Sequence, residues 1–204
     1  MNKQALYTFL WAAAISCCPF VLHAQQSYKQ EIEEHRLHYK QEFITEERSP
    51  LKAGDTAFLR FFEPDISFKI IATIKLTPEA KEFDMPTHSG KTKKFRQYGI
   101  LHFNINDTAL QLSVYQNLSL LKDDKDHLFL PFTDATSYIE SYAGGRYLDL
   151  SVKDIKDNKL VVDFNKCYNP YCAFADGYNC PIPPVENRLP VAIPAGEKMF
   201  GKEH

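Results

Sequence analysis

The chain has no excess of basic residues. Its 204 residues carry a formal net charge of −2, so the electrostatic footprint that nucleic-acid binding requires is missing and no nucleic-acid partner is expected. Beyond the N-terminus there is also no uninterrupted apolar run approaching the ~20 residues of a membrane-crossing helix, and no transmembrane span is expected. His-Glu-x-x-His, Gly-x-Ser-x-Gly, a phosphate loop and a Cys/His arrangement suited to a nucleophile are all absent. No cofactor is indicated. Internal repeats and low-complexity tracts are missing as well, and the length suits one domain with a real core rather than two.

What is present begins with a leader. Lys3 supplies a short positive region, and Ala5 to Ile15 form an apolar stretch interrupted only by Thr8. This pattern is that of a secretory signal over residues 1–24, with cleavage after Ala24 and export to the periplasm or outside the cell. A lipobox reading of Ala14-Ile15-Ser16-Cys17, which would lipidate Cys17, is disfavoured because apolar sequence continues through Phe20, Val21 and Leu22.

After the leader, Tyr28, Ile32, Tyr39 and Phe43 recur at helical spacing among charged residues. They predict one N-terminal amphipathic helix over residues 25–48, stopped by Ser49-Pro50. The period then changes to two. Phe68 to Leu76, Leu101 to Ile105 and Leu110 to Val114 alternate apolar and polar residues, and the last two runs are separated by the turn-like Asn106-Asp107-Thr108-Ala109, which predicts a hairpin. Ala57–Phe62, Lys81–Asp84, Leu128–Phe132, Tyr147–Val152 and Leu160–Asn165 are further strand candidates. The expected fold is mainly β, an antiparallel sandwich or barrel with one N-terminal helix, residues 49–204 forming a single β-rich domain.

The chemistry concentrates between Gly144 and Lys198. If Tyr147–Val152 and Leu160–Asn165 pair as neighbours, burying Leu148, Leu150, Leu160 and Val162 on one side places Asp149 opposite Asp163 on the other. Like charges so placed need a cation, a metal or a shared proton unless water solvates them. Asp149 and Asp163 are therefore the candidate catalytic pair. Arg146 and Tyr147, aimed by Gly144-Gly145, Asn165, and Asp134 with Thr136 beyond a strand end are candidate ligand contacts. Residues 166–190 are too rich in Pro, Asn and Gly for a regular element and too aromatic for a disordered tail, so an ordered loop is expected; Tyr168, Asn169, Glu186, Asn187 and, just beyond it, Glu197 join the candidates.

Three cysteines follow the leader: Cys167, Cys172 and Cys180. In an oxidising compartment an odd count is met by one disulfide with one free thiol, by a metal site or by a bridge to another chain. Closing the short Cys172–Cys180 loop would remove about 2–3 kcal/mol of unfolded-state entropy. A zinc site comes second, because no Cys-x-x-Cys or His-x-x-x-His spacing accompanies the three.

Several blocks in order resemble the bacterial domain of unknown function 1684: Phe129 to Asp134, Gly144 to Asp149, Asp163-Phe164-Asn165, Tyr168-Asn169-Pro170, Cys172-Ala173, Cys180-Pro181, Glu186 to Leu189 and Ala195 to Lys198. Weaker similarity runs back through Tyr98-Gly99 and Phe103 to Ser49-Pro50-Leu51 and the helix. The resemblance implies a prokaryotic, often exported protein and carries no established activity. Two positions depart from it. Tyr138 stands where the family has glycine, which bears on the local turn, and Cys167 stands where it has a small residue. The second departure implies that Cys167 is the free thiol and that Cys172 and Cys180 are partners. Three functions are carried forward: a binding or accessory module for a small molecule or envelope fragment, a hydrolase using the carboxylate pair, and a purely structural protein.

Overall fold

Strict alternation gives each strand one face for a core, and the computed structural model shows how those faces are gathered. The structure describes residues 19–202, with backbone only for residues 19–24. The expected leader over 1–24 and Cys17 therefore lie outside the residues whose side chains are described. Helix α1 (Pro19–Thr45) buries Tyr28, Ile32, Arg36 and Phe43 and is followed by seven strands. These are β1 (Lys69–Leu76), β2 (Glu82–Pro86), β3 (Thr92–Ile105), β4 (Thr108–Asn117), β5 (His127–Phe132), β6 (Arg146–Ser151) and β7 (Lys159–Asp163). They form one antiparallel sheet ordered β6-β5-β4-β3-β1-β7, with β2 pairing the first half of β3.

The predicted β3–β4 hairpin is present. Ile105 pairs with Thr108, and Asn106 and Asp107 form the two-residue turn, both with positive φ (46° and 62°) as a type I′ turn demands. Ala57–Phe62, expected as a strand, is instead the end of a short 3-10 helix (Ala53–Phe58) and an irregular segment; its buried residues Leu59 and Phe62 are three apart rather than two.

The pairing of β6 with β7 is corrected. β6 pairs with β5, β7 pairs with β1, and the two are the opposite edges of the sheet, so Asp149 faces Phe129 and Asp163 faces Lys69 across their ladders. Residues 152–158 nevertheless join those edges directly. The edges of a flat six-strand path would lie roughly 24 Å apart. The link contains a 3-10 turn at Val152–Asp154 and a left-handed pair at Asp157 and Asn158, so it cannot reach that far, and the sheet curls into a half-barrel. Leu112, Val114, Leu128, Leu130, Leu148 and Val162 fill the inside of the curl. The outer face carries a second cluster of Met85, Phe95, Tyr115, Phe129 and Tyr147, against which Tyr168 packs.

Candidate functional site

Asp149 lies on the outer face of β6, on the same side as Tyr147. Across the β5 ladder, Phe129 is directly opposite, and His127, two residues earlier, shares its face. His127 Nε2 meets Asp149 Oδ1 at 2.8 Å. The other oxygen, Oδ2, accepts from the Tyr168 hydroxyl at 2.7 Å. Tyr168 is brought there because its backbone extends the sheet by one pair: its N–H donates to the Tyr147 carbonyl and its carbonyl accepts from the Tyr147 N–H. Two elements thus fix the two oxygens of one carboxylate.

The bond to Asp149 raises the pKa of His127, with burial opposing. Burial, and then Asp149, push the Tyr168 phenol well above its ordinary value, so it remains a donor. The Asp149 side chain is 49% exposed, which leaves it open to a ligand.

Two clefts meet at this point. The inner one, about 740 Å³, runs between α1 and the two sheet edges, lined among others by Arg36, Tyr39, Leu148, Asp149 and Asp163. The outer one, about 420 Å³, is lined by His127, Phe129, Tyr147, Tyr178 and Lys93 among others. Asp149, Tyr168 and Tyr171 belong to both. The expected carboxylate pair thus shares a cleft, although not a strand ladder.

Asp163 is held differently. Its Oδ1 accepts from the Tyr28 hydroxyl (2.7 Å) and from both the backbone N–H and side-chain Nδ2 of Asn165 (3.1 Å each), while its buried Oδ2 has no partner. Asn165 in turn binds the Asp65 backbone through both ends of its amide. Burial and Asp163 raise the Tyr28 phenol strongly. This cluster anchors the start of α1 to the end of β7.

The other sequence-derived candidates, Glu186 excepted, lie inside the protein. Arg146, 1% exposed, lies over the rings of Phe62 and Phe132 and donates to Asp134 Oδ1 (3.1 Å), Thr136 Oγ1 (3.4 Å) and the carbonyls of Ile193, Ala195 and Glu197. Asp134 also accepts from the Ile193 N–H at 2.6 Å and from Thr136. Gly145, at φ 88°, directs this arginine inward; a Cβ there would meet the Phe132 carbonyl at 2.6 Å.

Asn187 replaces ladder bonds between β4 and β5, which pair directly at Tyr115–Phe129. Its Oδ1 accepts from Ser113 N–H, and its Nδ2 donates to the carbonyls of Ser113 and Pro131. Glu186, exposed, accepts from the Tyr115 hydroxyl at 2.9 Å. Glu197, fully buried, accepts from the Tyr39 hydroxyl and the Asn169 N–H, while the Asn169 side chain donates to the Lys198 carbonyl. These bonds stitch the C-terminal segment into the sheet.

Cys172 and Cys180 are paired, with Cα atoms 6.3 Å apart, and Cys167 is free and buried. Burial pushes the Cys167 thiol up to about 11. Among the described residues, no three His, Cys, Asp or Glu side chains are grouped to hold a metal.

Sequence reasoning missed His127, Tyr171 and Tyr178. The signal for His127 was available: it directly precedes the expected strand Leu128–Phe132 and has the parity of Phe129, and β5 begins with it. Nothing local indicates that Tyr171 and Tyr178 line a cleft, because a disulfide-closed loop carries them there.

An uncharacterised protein of Haloarcula marismortui, solved by solution NMR, matches the structure with a TM-score of 0.67 and 28% identity, over 86% of this chain and 96% of that one. No curated protein matches the chain. The family model described as protein of unknown function, DUF1684, matches residues 56–198, a span that contains His127, Asp149 and Tyr168 and the buried Asp134, Arg146, Asn187 and Glu197. The chain belongs to that family.

Proposed function

We propose that the protein is an exported small-ligand-binding or accessory module of the cell envelope, and that it holds its ligand at Asp149. The observation that carries this reading is the half-exposed Asp149 carboxylate, fixed by His127 and Tyr168 at the point where two clefts join. A polar group already held in one geometry loses little freedom when a ligand arrives, and aromatic walls supply the apolar area that a small ligand buries. Internal bonds support the reading from behind: Glu197 holds the Asn169 N–H beside Tyr168, and the Tyr147 hydroxyl donates to the Pro181 carbonyl at the end of the disulfide-closed loop bearing Tyr178, which ties that loop to β6. Export is supported by the leader-like N-terminus and by the Cys172–Cys180 pair, which suits an oxidising compartment.

The carboxylate-pair hydrolase is the second reading, favoured by one observation: Asp149 and Asp163 line the same inner cleft. Its metal-assisted form has no set of three ligands to rest on among the described residues.

The test is purification of the protein from its native host, followed by mass spectrometry and elemental analysis of what it retains. An organic molecule retained by wild type and lost from a folded Asp149→Asn variant is expected. Retention of nothing by either protein would overturn the binding reading. A bound divalent metal lost in the variant would instead favour the hydrolase.

A further inference from the structure

The outer cleft has a chemical character specific enough to name a ligand class. Its walls are rings: Phe129 and Tyr147 meet edge to face at 4.7 Å on the floor, and Tyr171 and Tyr178 do so at 5.3 Å on the loop side. Its polar groups are planar and held in place. Asn117 accepts from Ser119 N–H and Oγ through its Oδ1, leaving its Nδ2 without a hydrogen bond among the described residues. Asn179 is clamped at its Oδ1 by the hydroxyls of Thr87 and Ser89, leaving its Nδ2 without a hydrogen bond among the described residues. Asp149 offers the remaining lone pairs of a carboxylate already oriented by two donors.

Three ligand classes can be compared against this lining. A quaternary or primary ammonium would suit aromatic faces beside an acid, but Lys93 lies in the same cleft and His127 is already the partner of Asp149. An acyl chain would need an enclosed apolar sleeve, whereas this cleft has Lys93, Asn117, His127, Asp149 and Asn179 along its wall. A ligand with an apolar C–H face and a rim of neutral hydroxyls satisfies both the rings and the amides without a net charge. The cleft also continues past Asp149 into the larger inner one, which gives room for more than one unit of a linear chain.

We infer that the outer cleft binds a neutral saccharide, its C–H face on the aromatic rings and its hydroxyls on Asp149, Asn117 and Asn179, with the inner cleft receiving the next unit. The inference rests on the binding function proposed above and assigns its ligand class. Tyr171 and Tyr178, partly exposed, contribute most of the contact as stacking surfaces of ordinary strength, with the buried Phe129 and Tyr147 as the floor beneath. The amides and Asp149 set the orientation of the hydroxyls.

The experiment is saturation-transfer difference NMR and calorimetry on the protein as isolated from its host. The probes are chitotriose, cellotriose and maltotriose, with choline and dodecanoate for comparison. At least one trisaccharide is expected to bind, with the strongest transfer on its ring C–H protons. Its affinity should fall tenfold or more in Tyr178→Leu and in Asp149→Asn, both checked for unchanged thermal midpoints. Lys81→Gln, at a residue that lines neither cleft, is the folded control and should bind as wild type does.

Choline or dodecanoate binding that Asp149→Asn abolishes, with no trisaccharide bound, would overturn the saccharide assignment and leave the binding function standing. No probe bound, and no molecule carried from the host, would overturn both. Trisaccharide binding untouched by either substitution would also overturn the inference, because the sugar would then sit elsewhere.

Discussion

Glu197 gives the sharpest physical prediction. Its side chain is fully buried, with Oε2 accepting from Tyr39 and from the Asn169 N–H at 2.9 and 2.8 Å, and Oε1 has no partner. Burial pushes its carboxyl up from 4.5 to about 8, against the pull of those hydrogen bonds and of Arg146. In the unfolded chain the group ionises near pH 4.5, while in the folded protein it holds its proton to about pH 8. Between those limits the folded state binds one more proton than the unfolded state. Stability from this group is therefore fully present below pH 4.5 and falls as pH rises, by about 1.4 kcal/mol per unit, levelling off above pH 8. The total is on the order of 5 kcal/mol, comparable with the whole stability of many domains.

Glu197→Gln keeps an oxygen to accept from Tyr39 and Asn169 and removes the ionisation. Urea unfolding of both proteins at several pH values between 5 and 9 separates this group from every other titration, because the others cancel in the difference. Near pH 5 the two should agree within about 1 kcal/mol, the cost of one altered hydrogen bond. Near pH 8.5 the glutamine protein should be more stable by several kcal/mol. Two parallel pH profiles would refute the reasoning, since they would mean that Glu197 ionises in the folded state as readily as in the unfolded one.

Further outcomes follow from other sites. Tyr138 is 74% exposed and held at φ 74°, a left-handed backbone that glycine adopts without strain. Tyr138→Gly should relieve a left-handed cost of about 1–2 kcal/mol at an entropic cost of about 0.5–1 kcal/mol, raising the thermal midpoint by about 2–3 °C in calorimetry. An unchanged or lower midpoint would count against strain at this position. Asp134→Ala would leave the Arg146 guanidinium buried without its counterion and should cost about 3–5 kcal/mol in denaturant unfolding, where a loss under 1 kcal/mol would contradict the network. Asn187→Ala would strand the buried N–H and carbonyl of Ser113 and the carbonyl of Pro131, and a loss of at least about 2 kcal/mol is expected by the same assay. In the exported form, denatured without reductant, thiol titration should find one reactive cysteine, Cys167; three would eliminate the Cys172–Cys180 bridge.

How much of this was readable in the sequence depends on which interactions are local. Alternation marked Lys69–Leu76, the β3–β4 hairpin, β5, β6 and β7, because side-chain period and turn chemistry are properties of a few adjacent residues. The same alternation placed Asp149 and Asp163 on the face opposite Leu148 and Val162, where they are. It could not name their neighbours. A strand's periodicity states which face is buried and says nothing about which strand lies beside it, so β6 and β7, joined by a short polar link, read as a hairpin although they are the two edges of a curled sheet.

The same limit decided the polar candidates. Arg146, Asp134, Asn187 and Glu197 carry the composition of a binding site, yet their partners are backbone groups and side chains brought close by the fold, up to 158 residues away in the chain. Which of the two aspartates stays accessible is also a tertiary outcome. Tyr28 and Asn165 close over Asp163 at one sheet edge, while at the other edge His127 and Tyr168 approach Asp149 from either side and leave it half open. A sequence in which Tyr28 were absent would expose a second carboxylate to the inner cleft and make the pair far more nearly equivalent. The difference between them therefore rests on the docking of α1.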